Sequence, residues 1–159
     1  MSYQAVILTV SDSCAAGTRT DTSGPAIRAM LENAGFAVQA MQTVPDEEGQ
    51  ISAAIVHACD ILQADLVVTT GGTGLSPRDV TPEATLAVLD REIRAIPVAM
   101  WVEGLKSTPR AMLSRAVAGI RGHTLVLNVP GSEKAARENL GAVVATLDHA
   151  LRMLAGGGH

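Results

Sequence analysis

Apolar runs with the character of strands alternate with helical patterns along the whole chain. The runs that predict strands are residues 4–11, residues 36–44, Leu66–Thr70 and Thr124–Val129. Short apolar runs rich in β-branched residues and bounded by turn residues are typical of buried strands. Strands that alternate with helices predict an α/β fold, a three-layer αβα sandwich in which helices cover both faces of a mostly parallel sheet.

Apolar residues at intervals of three and four positions predict two helices in the first half of the chain. The first stripe begins at Ile27 and runs to Ala34, and Gly35 is expected to end that helix. The second stripe runs from Ile51 to Leu62. Each helix lies between two predicted strands, as expected where helices connect parallel strands.

Helix signals continue in the second half of the chain. Residues 81–83 read Thr-Pro-Glu, which predicts a hydroxyl N-cap, a proline in the first turn and a favourable acidic residue. We expect helix from there through Asp90 and again over residues 93–105. Ser132 is expected to cap the last helix, whose apolar stripe runs over residues 140–154.

Composition narrows the class of protein. The chain has 159 residues, which predicts one domain over residues 1–155 and a flexible tail over 156–159. A formal net charge of −4 and only one residue each of tryptophan, tyrosine and phenylalanine argue against binding to nucleic acid or an anionic membrane. The two cysteines match no disulfide framework or metal spacing, and no segment has the length and apolarity of a membrane span, so we expect a cytoplasmic protein.

Polar segments stand at the ends of three predicted strands. Residues 11–13 follow the first strand, residues 71–79 follow the third, and residues 128–132 close the last. Because ligands bind beyond the carboxyl ends of parallel strands, we expect these segments to converge on one pocket. The residues expected there to bind a substrate include Ser11, Asp12, Ser13, Thr70 and Asn128.

Residues 69–74, Thr-Thr-Gly-Gly-Thr-Gly, form the most informative local motif. Glycines let backbone amides turn toward an anion, and the hydroxyls add further donors. No lysine follows in the position of a nucleotide-binding P-loop. From the residues alone, an anion site and an ordinary turn between strand and helix both remain open.

Two aspartates are candidates for chemistry. Asp79 follows Arg78 beside the glycine loop and is either a metal ligand or the partner of that arginine. Asp46 opens an acidic triplet before the second helix and either serves the helix dipole or approaches Asp79 in space. Few carboxylates together with substrate phosphates are what Mg²⁺ prefers, so a shared approach would favour a magnesium site.

Five segments in order resemble one family. They are residues 8–13 (LTVSDS), 21–24 (DTSG), 67–85 (VVTTGGTGLSPRDVTPEAT), 111–122 (AMLSRAVAGIRG) and 128–132 (NVPGS). Together they resemble the molybdenum-cofactor biosynthesis family, which includes the single-domain molybdopterin adenylyltransferases of the MogA/MoaB group and the G domain of gephyrin-type proteins. The resemblance runs from about residue 4 to residue 154.

The resemblance implies a function. It implies a three-layer α/β domain, usually a homotrimer, that binds molybdopterin. The implied reaction is Mg²⁺-dependent transfer of AMP from ATP to the terminal phosphate of molybdopterin, with release of pyrophosphate. The product would pass to a molybdate-inserting partner protein.

The resemblance also implies residue roles. The family's two essential aspartates fall on Asp46 and Asp79, which would act in catalysis and hold the metal. The positions expected to line the pterin and phosphate pocket are Gly71, Gly72, Thr73, Gly74, Ser107, Pro130, Gly131 and Ser132. Arg78, Lys106, Arg110 and Arg115 are expected to supply positive charge.

Two alternatives stand beside this interpretation. One is a pterin-binding or scaffold module of the same fold that transfers no AMP; the presence of both aspartates argues against it. The other is an unrelated nucleotide-binding enzyme such as a dehydrogenase, which the absence of GxGxxG after the first strand disfavours. Residues 91–97 depart from the family, because relatives commonly have Pro-Gly after Arg-Glu, and this departure concerns the helix connection and trimer packing.

Overall fold

A computed structural model describes residues 2–158. Its strands are β1 (Gln4–Val10), β2 (Ala37–Val44), β3 (Leu66–Thr70), β4 (Arg91–Glu92), β5 (Ala118–Arg121) and β6 (Thr124–Val129). Its helices are α1 (Asp12–Ala15), α2 (Ser23–Asn33), α3 (Glu48–Val56), α4 (Thr81–Leu86), α5 (Ala95–Leu105) and α6 (Glu133–Leu154). A π-helical turn, His57–Ile61, continues α3, and a short 3₁₀ helix, Pro109–Leu113, follows α5.

The six strands form one sheet in the order β2-β1-β3-β6-β5-β4. The first four are parallel, with Leu66 opposite Leu125 at the centre, whereas β5 and β4 add an antiparallel edge. The predicted, mostly parallel sheet is therefore confirmed. β1 has β2 on one side and β3 on the other, so the strand order changes direction at β1. The connections that follow neighbouring strands therefore diverge there, and a crevice opens between them at the end of the sheet.

The core lies in two layers, one on each face of the sheet. Alternate residues of β1 point to opposite faces, so Ile7 packs with α2, α5 and α6, while Leu8 packs with α3 and α4. Ile27, Met100 and Leu140 of the first set and Ile51 and Ile55 of the second are almost fully buried. This arrangement confirms the three-layer αβα sandwich.

The prediction of helix through Asp90 is wrong. Helix α4 ends at Leu86, and the backbone amides of Asp90 and Ile93 instead donate to β5 carbonyls at 2.7 and 2.8 Å. Gly119 of β5 permits this pairing, because a Cβ there would overlap the carbonyl oxygen of Arg91. The next helix accordingly begins at Ala95 rather than Ile93.

Three hydroxyl side chains near helix starts, those of Ser132, Thr81 and Ser11, have different roles. Ser132 caps α6 as expected, its Oγ accepting the Ala135 amide at 3.2 Å. Thr81 does not cap α4: its hydroxyl donates to the Gly71 carbonyl at 3.0 Å, which ties the helix to the glycine loop. β1 ends at Val10, one residue before the predicted end, and Ser11 instead caps α1.

The sequence predicts a flexible tail over residues 156–159. After α6, the amides of Gly156 and Gly157 donate to the last carbonyls of the helix. His159 lies outside the described residues. Among residues 2–158, none of the helices combines the length and the apolarity that crossing a membrane requires.

Candidate functional site

A cavity of about 780 Å³ opens beyond the carboxyl ends of β1, β3 and β6. The predicted residues in its wall are Ser11, Asp46, Thr70, Gly71, Gly72, Thr73, Gly74, Asp79, Pro130, Gly131 and Ser132. The three polar segments therefore converge as the topology predicts. A cavity of this size is within the range of sites for small molecules.

The glycine loop, residues 71–74, forms the floor of this cavity by close backbone approach. Gly71 and Gly72 have φ of +101° and +68°, a region that favours glycine. A Cβ on Gly71 would overlap the Val10 carbonyl, and one on Gly72 would overlap Thr81 Oγ1. A Cβ on Gly131 would lie 3.2 Å from Gly71 Cα, so the floor is largely main chain.

The two aspartates approach different glycines of this loop. The ideal Cβ position of Gly72 lies 3.1 Å from Asp46 Oδ1, and that of Gly74 lies 2.9 Å from Asp79 Oδ2. Asp46 Oδ2 accepts the Asp12 amide at 2.9 Å, and Asp79 Oδ2 accepts the Ser76 amide at 3.0 Å. Within residues 2–158 this leaves Oδ1 of each aspartate without a hydrogen-bond partner.

The surroundings of Asp46 disfavour its charge. Burial raises the pKa of the Asp46 carboxyl above its ordinary value; the hydrogen bond from the Asp12 amide opposes the rise, and the negative charges of Asp12 and Asp79 add to it. The charge of Asp79 is thus close enough to act on Asp46. A bound cation would relieve both the burial cost and this repulsion.

The donor set fits Mg²⁺ held in part by substrate. Among the described residues, no group of three or more histidine, cysteine or acidic side chains is arranged to hold a metal unaided. Mg²⁺ commonly takes one or two carboxylates and completes its shell with water and phosphate oxygens. Asp46 and Asp79 supply that number of hard oxygen ligands at one cavity.

Arg115 holds the glycine loop in place. Its Nε donates to the Gly74 carbonyl at 2.8 Å, its Nη2 to the Asp79 carbonyl at 2.7 Å, and its Nη1 to Glu83. Its own amide donates to the Thr73 carbonyl at 2.8 Å. Arg115 therefore fixes the backbone that presents Asp79.

The remaining predicted cations lie in different places. Arg78 forms ion pairs with Asp12 and Glu47, and Lys106 pairs with Glu103. Arg110 does line the cavity, as does Arg19, which the sequence reasoning missed. Of the described part of the chain, Arg19 and Arg110 are the cavity arginines that form no ion pair within 4 Å.

Most of the chain matches one known protein family. The family model described as "Probable molybdopterin binding domain" matches residues 6–149. The chain belongs to the molybdenum-cofactor biosynthesis family.

Individual relatives agree with this assignment. A Helicobacter pylori (strain J99) protein named molybdopterin adenylyltransferase is 38% identical over 154 residues, covering 94% of this chain and 86% of that protein. The crystal structure of the molybdopterin biosynthesis enzyme MoaB from Thermus thermophilus has a TM-score of 0.92 and 49% identity and covers 97% of each chain.

Some members of the family are much longer than this chain. Gephyrin from Dictyostelium discoideum is 42% identical over 158 residues, which cover 93% of this chain. The chain spans 22–49% of the length of the first three curated relatives it matches. The similarity to gephyrin therefore concerns one part of that protein.

Four predicted binding residues of this family member lie outside the cavity wall, and two of them stand on the β1 side. The carboxylate of Asp12 faces Arg78, to which it is bound through both oxygens. The hydroxyl of Ser13 lies 3.2 Å from that of Ser11. Both residues contact wall residues, Asp46 and Ser11 respectively, without lining the cavity themselves.

The other two stand farther along the chain. Asn128 is fully buried; its Nδ2 donates to Thr69 and Thr85 hydroxyls, and its Oδ1 accepts the Val117 amide. Ser107 donates to Glu138 Oε1 at 2.8 Å. The hydrogen bonds of Asn128 therefore serve to hold the core together. Ser107, in contrast, contacts the side chain of Glu138, which does line the cavity.

Sequence reasoning also missed a buried hydroxyl chain. Ser23 Oγ lies 3.1 Å from Thr70 Oγ1, which donates to the Pro130 carbonyl at 2.7 Å. Asp21 accepts the amide of Gly24 and so begins helix α2 beside the cavity. The motif at residues 21–24 was the available signal, since it carried the family resemblance without an assigned role.

Proposed function

We propose that this protein transfers AMP from ATP to the terminal phosphate of molybdopterin and releases pyrophosphate, as a step in molybdenum-cofactor biosynthesis. The observation that carries the proposal is the approach of Asp46 to Gly72 and of Asp79 to Gly74, on one glycine loop in one cavity. The names of its relatives support the same reaction.

Charge repulsion is the first barrier to this reaction, because a phosphate oxygen attacks the α-phosphorus of ATP. The Oδ1 atoms of Asp46 and Asp79, which have no hydrogen-bond partner within residues 2–158, would hold Mg²⁺, which when bound neutralises phosphate charge and aligns the reacting groups. A new oxygen–phosphorus bond forms to the α-phosphorus as its bond to the pyrophosphate oxygen breaks. The proposal requires no protein nucleophile.

The residues around the two aspartates have supporting tasks. The Gly71 amide donates to the Val129 carbonyl, whereas the amides of residues 72–74 donate to no protein acceptor within residues 2–158 and are available to phosphate oxygens. Arg19 and Arg110, which form no ion pair among residues 2–158, are available to bind the phosphate chain. Arg115 keeps the loop from yielding as those groups bind.

We also propose that the protein acts as a homotrimer and delivers its product to a molybdate-inserting partner. Helix α5 supports an interface between copies, because Val98, Val102 and Leu105 are 48%, 57% and 46% exposed. Size measurement by light scattering at several protein concentrations tests this assembly. A protein that remains monomeric throughout would contradict it.

The test of the reaction is pterin-dependent AMP transfer with Asp46→Asn and Asp79→Asn. We expect adenylyl-molybdopterin from the wild-type protein with Mg²⁺ and ATP, and a loss of about 100-fold or more in each variant, because metal ligation contributes several kcal/mol to such reactions. Asp148→Asn, an exposed acid paired with Arg152, is the matched control. Product is separated by chromatography.

A second function has the same fold and cavity, namely molybdopterin binding without transfer. The two flanking carboxylates disfavour it, since binding of an anionic pterin alone gains nothing from them. Wild-type protein that retains molybdopterin and yields no adenylylated product would establish this alternative in place of the enzyme.

A further inference from the structure

The wall made by α5, the 3₁₀ helix and α6 differs chemically from the phosphate-binding floor. Glu138 and Asn139 of α6 line it together with Gly104, Thr108 and Ala111. The Glu138 side chain is 25% exposed, and Asn139 is only 5% exposed. Partly desolvated polar groups in a cavity wall are suited to orienting a ligand.

The wall presents hydrogen-bond acceptors. Glu138 Oε1 accepts the Ser107 hydroxyl at 2.8 Å, and Lys134 Nζ lies 3.9 Å from the same oxygen. Asn139 Nδ2 donates to the Ala135 carbonyl at 2.8 Å. Within the described residues, Glu138 Oε2 and Asn139 Oδ1 therefore keep unused acceptor capacity.

These acceptors suit a ligand that presents neighbouring N–H donors to the wall. They do not suit a phosphate group, which is itself an anionic acceptor. The ring of a pterin carries a 2-amino group beside its N3–H, so two donors stand side by side. Adenine instead places its amino group beside the N1 acceptor, which would face a carboxylate oxygen without a proton. A carboxylate, which accepts through two oxygens, matches the pterin edge and not the adenine edge.

We propose that Glu138 binds the 2-amino and N3–H groups of the pterin ring, with Asn139 Oδ1 as a neighbouring acceptor. Ser107 acts as a positioning residue that fixes the carboxylate through Oε1. This assignment rests on the proposed function and places the pterin ring against α6, with its phosphate directed toward the loop at residues 71–74.

Binding titrations without catalysis test the assignment. The probes are 6-hydroxymethylpterin and 6-hydroxymethyllumazine, in which a carbonyl replaces the 2-amino group. We expect the wild-type protein to bind the pterin at least about tenfold more tightly, because hydrogen bonds to charged groups give discrimination of this order. We expect Glu138→Gln to lose that preference and to bind ATP no more weakly than the wild type.

Glu103→Gln is the matched control, since it removes the same charge from a nearby helix at a residue outside the cavity wall. Equal affinity of the wild-type protein for pterin and lumazine would overturn the assignment, even if Glu138→Gln failed to fold. Weakened ATP binding with unchanged pterin preference in Glu138→Gln would also overturn it, because the carboxylate would then face the nucleotide.

The titrations are independent of AMP transfer. A wild-type protein that prefers pterin and forms no adenylyl product would disprove the proposed reaction and leave the Glu138 assignment standing. A protein that forms the adenylyl product but shows no preference between the two rings would support the proposed reaction and disprove the Glu138 assignment.

Discussion

Asp12 and Asp46 each accept a hydrogen bond from the other's backbone amide, both at 2.9 Å. This reciprocal pair joins the end of β1 to the end of β2. The two carboxyls nevertheless differ: the side-chain hydrogen bond from Arg78 lowers the pKa of Asp12, whereas burial raises that of Asp46. The ionised form of Asp12 is therefore stabilised by an arginine, whereas the ionised form of Asp46 is disfavoured and would be stabilised by a bound cation.

We expect Asp46→Asn to stabilise the metal-free protein at neutral pH while reducing AMP transfer by about 100-fold or more. The folded state raises the pKa of Asp46, so the ionised carboxylate costs stability above the ordinary value of 3.8. A neutral amide removes that cost and still accepts the Asp12 amide. Thermal unfolding without metal measures the difference.

The pH dependence of this gain is a further check. The advantage of the variant should shrink as the pH falls through the raised pKa of the wild-type carboxyl, because that carboxyl then becomes neutral as well. Asp148→Asn should show no such gain. A variant less stable than the wild type at neutral pH would contradict the cost assigned to the Asp46 charge.

We expect Gly72→Ala to disrupt the cavity floor. Its Cβ would overlap Thr81 Oγ1 and approach Asp46 Oδ1, in addition to the strain of a positive φ. Gly122→Ala is the control, because Gly122 has a similar φ of +57° and open space around it. Urea denaturation should show Gly72→Ala to be about 1–3 kcal/mol more destabilised than the control. Equal losses would mean that backbone strain alone matters.

Arg115→Lys should reduce AMP transfer by about tenfold, because a lysine cannot hold the Gly74 and Asp79 carbonyls together with Glu83. Arg121→Lys offers a close comparison, since Arg121 likewise binds a carboxylate, Asp60, and a carbonyl, that of Val88, but within residues 2–158 its side chain makes no hydrogen bond to the glycine loop. Steady-state rates of both variants decide the matter. Similar losses in the two would remove any special role for Arg115.

Asn128→Ala should act through stability. The substitution leaves the Val117 amide and two hydroxyls without their partner in a fully buried site, which costs about 2–4 kcal/mol. Asn33→Ala, at an exposed helix end, should cost little. Denaturant unfolding gives both values, and a normal stability with weakened molybdopterin binding would restore the substrate-binding role predicted from sequence.

The parallel half of the fold was predictable because each strand carries its own local signal. The runs at Leu66–Thr70 and Thr124–Val129 were placed at their observed bounds, since continuous burial demands continuous apolarity. The antiparallel edge was not predictable in this way. β5 is only Ala-Gly-Ile-Arg and β4 two exposed residues, so their pairing depends on contact across the chain rather than on pattern.

The site was predictable as far as topology and motif reach. Topology brought together the segments around Thr70 and Gly131, and the family motif singled out Asp46 and Asp79. Side-chain partners could not be predicted from the sequence. Neither the ion pair of Arg78 with Asp12 nor the hydrogen bond of Ser107 to Glu138 has a sequence signal. Such pairings arise between residues far apart in sequence, and periodicity carries no information about them.

The main-chain floor has a consequence for engineering. Where Gly71 and Gly131 touch, there is no side chain to exchange, and any larger residue disturbs the sheet end itself. A designer who wishes to redirect this cavity to another heterocycle must therefore leave the floor untouched and work on the helical wall. The fold thus separates a main-chain floor that cannot be redesigned from a helical wall whose side chains can be exchanged.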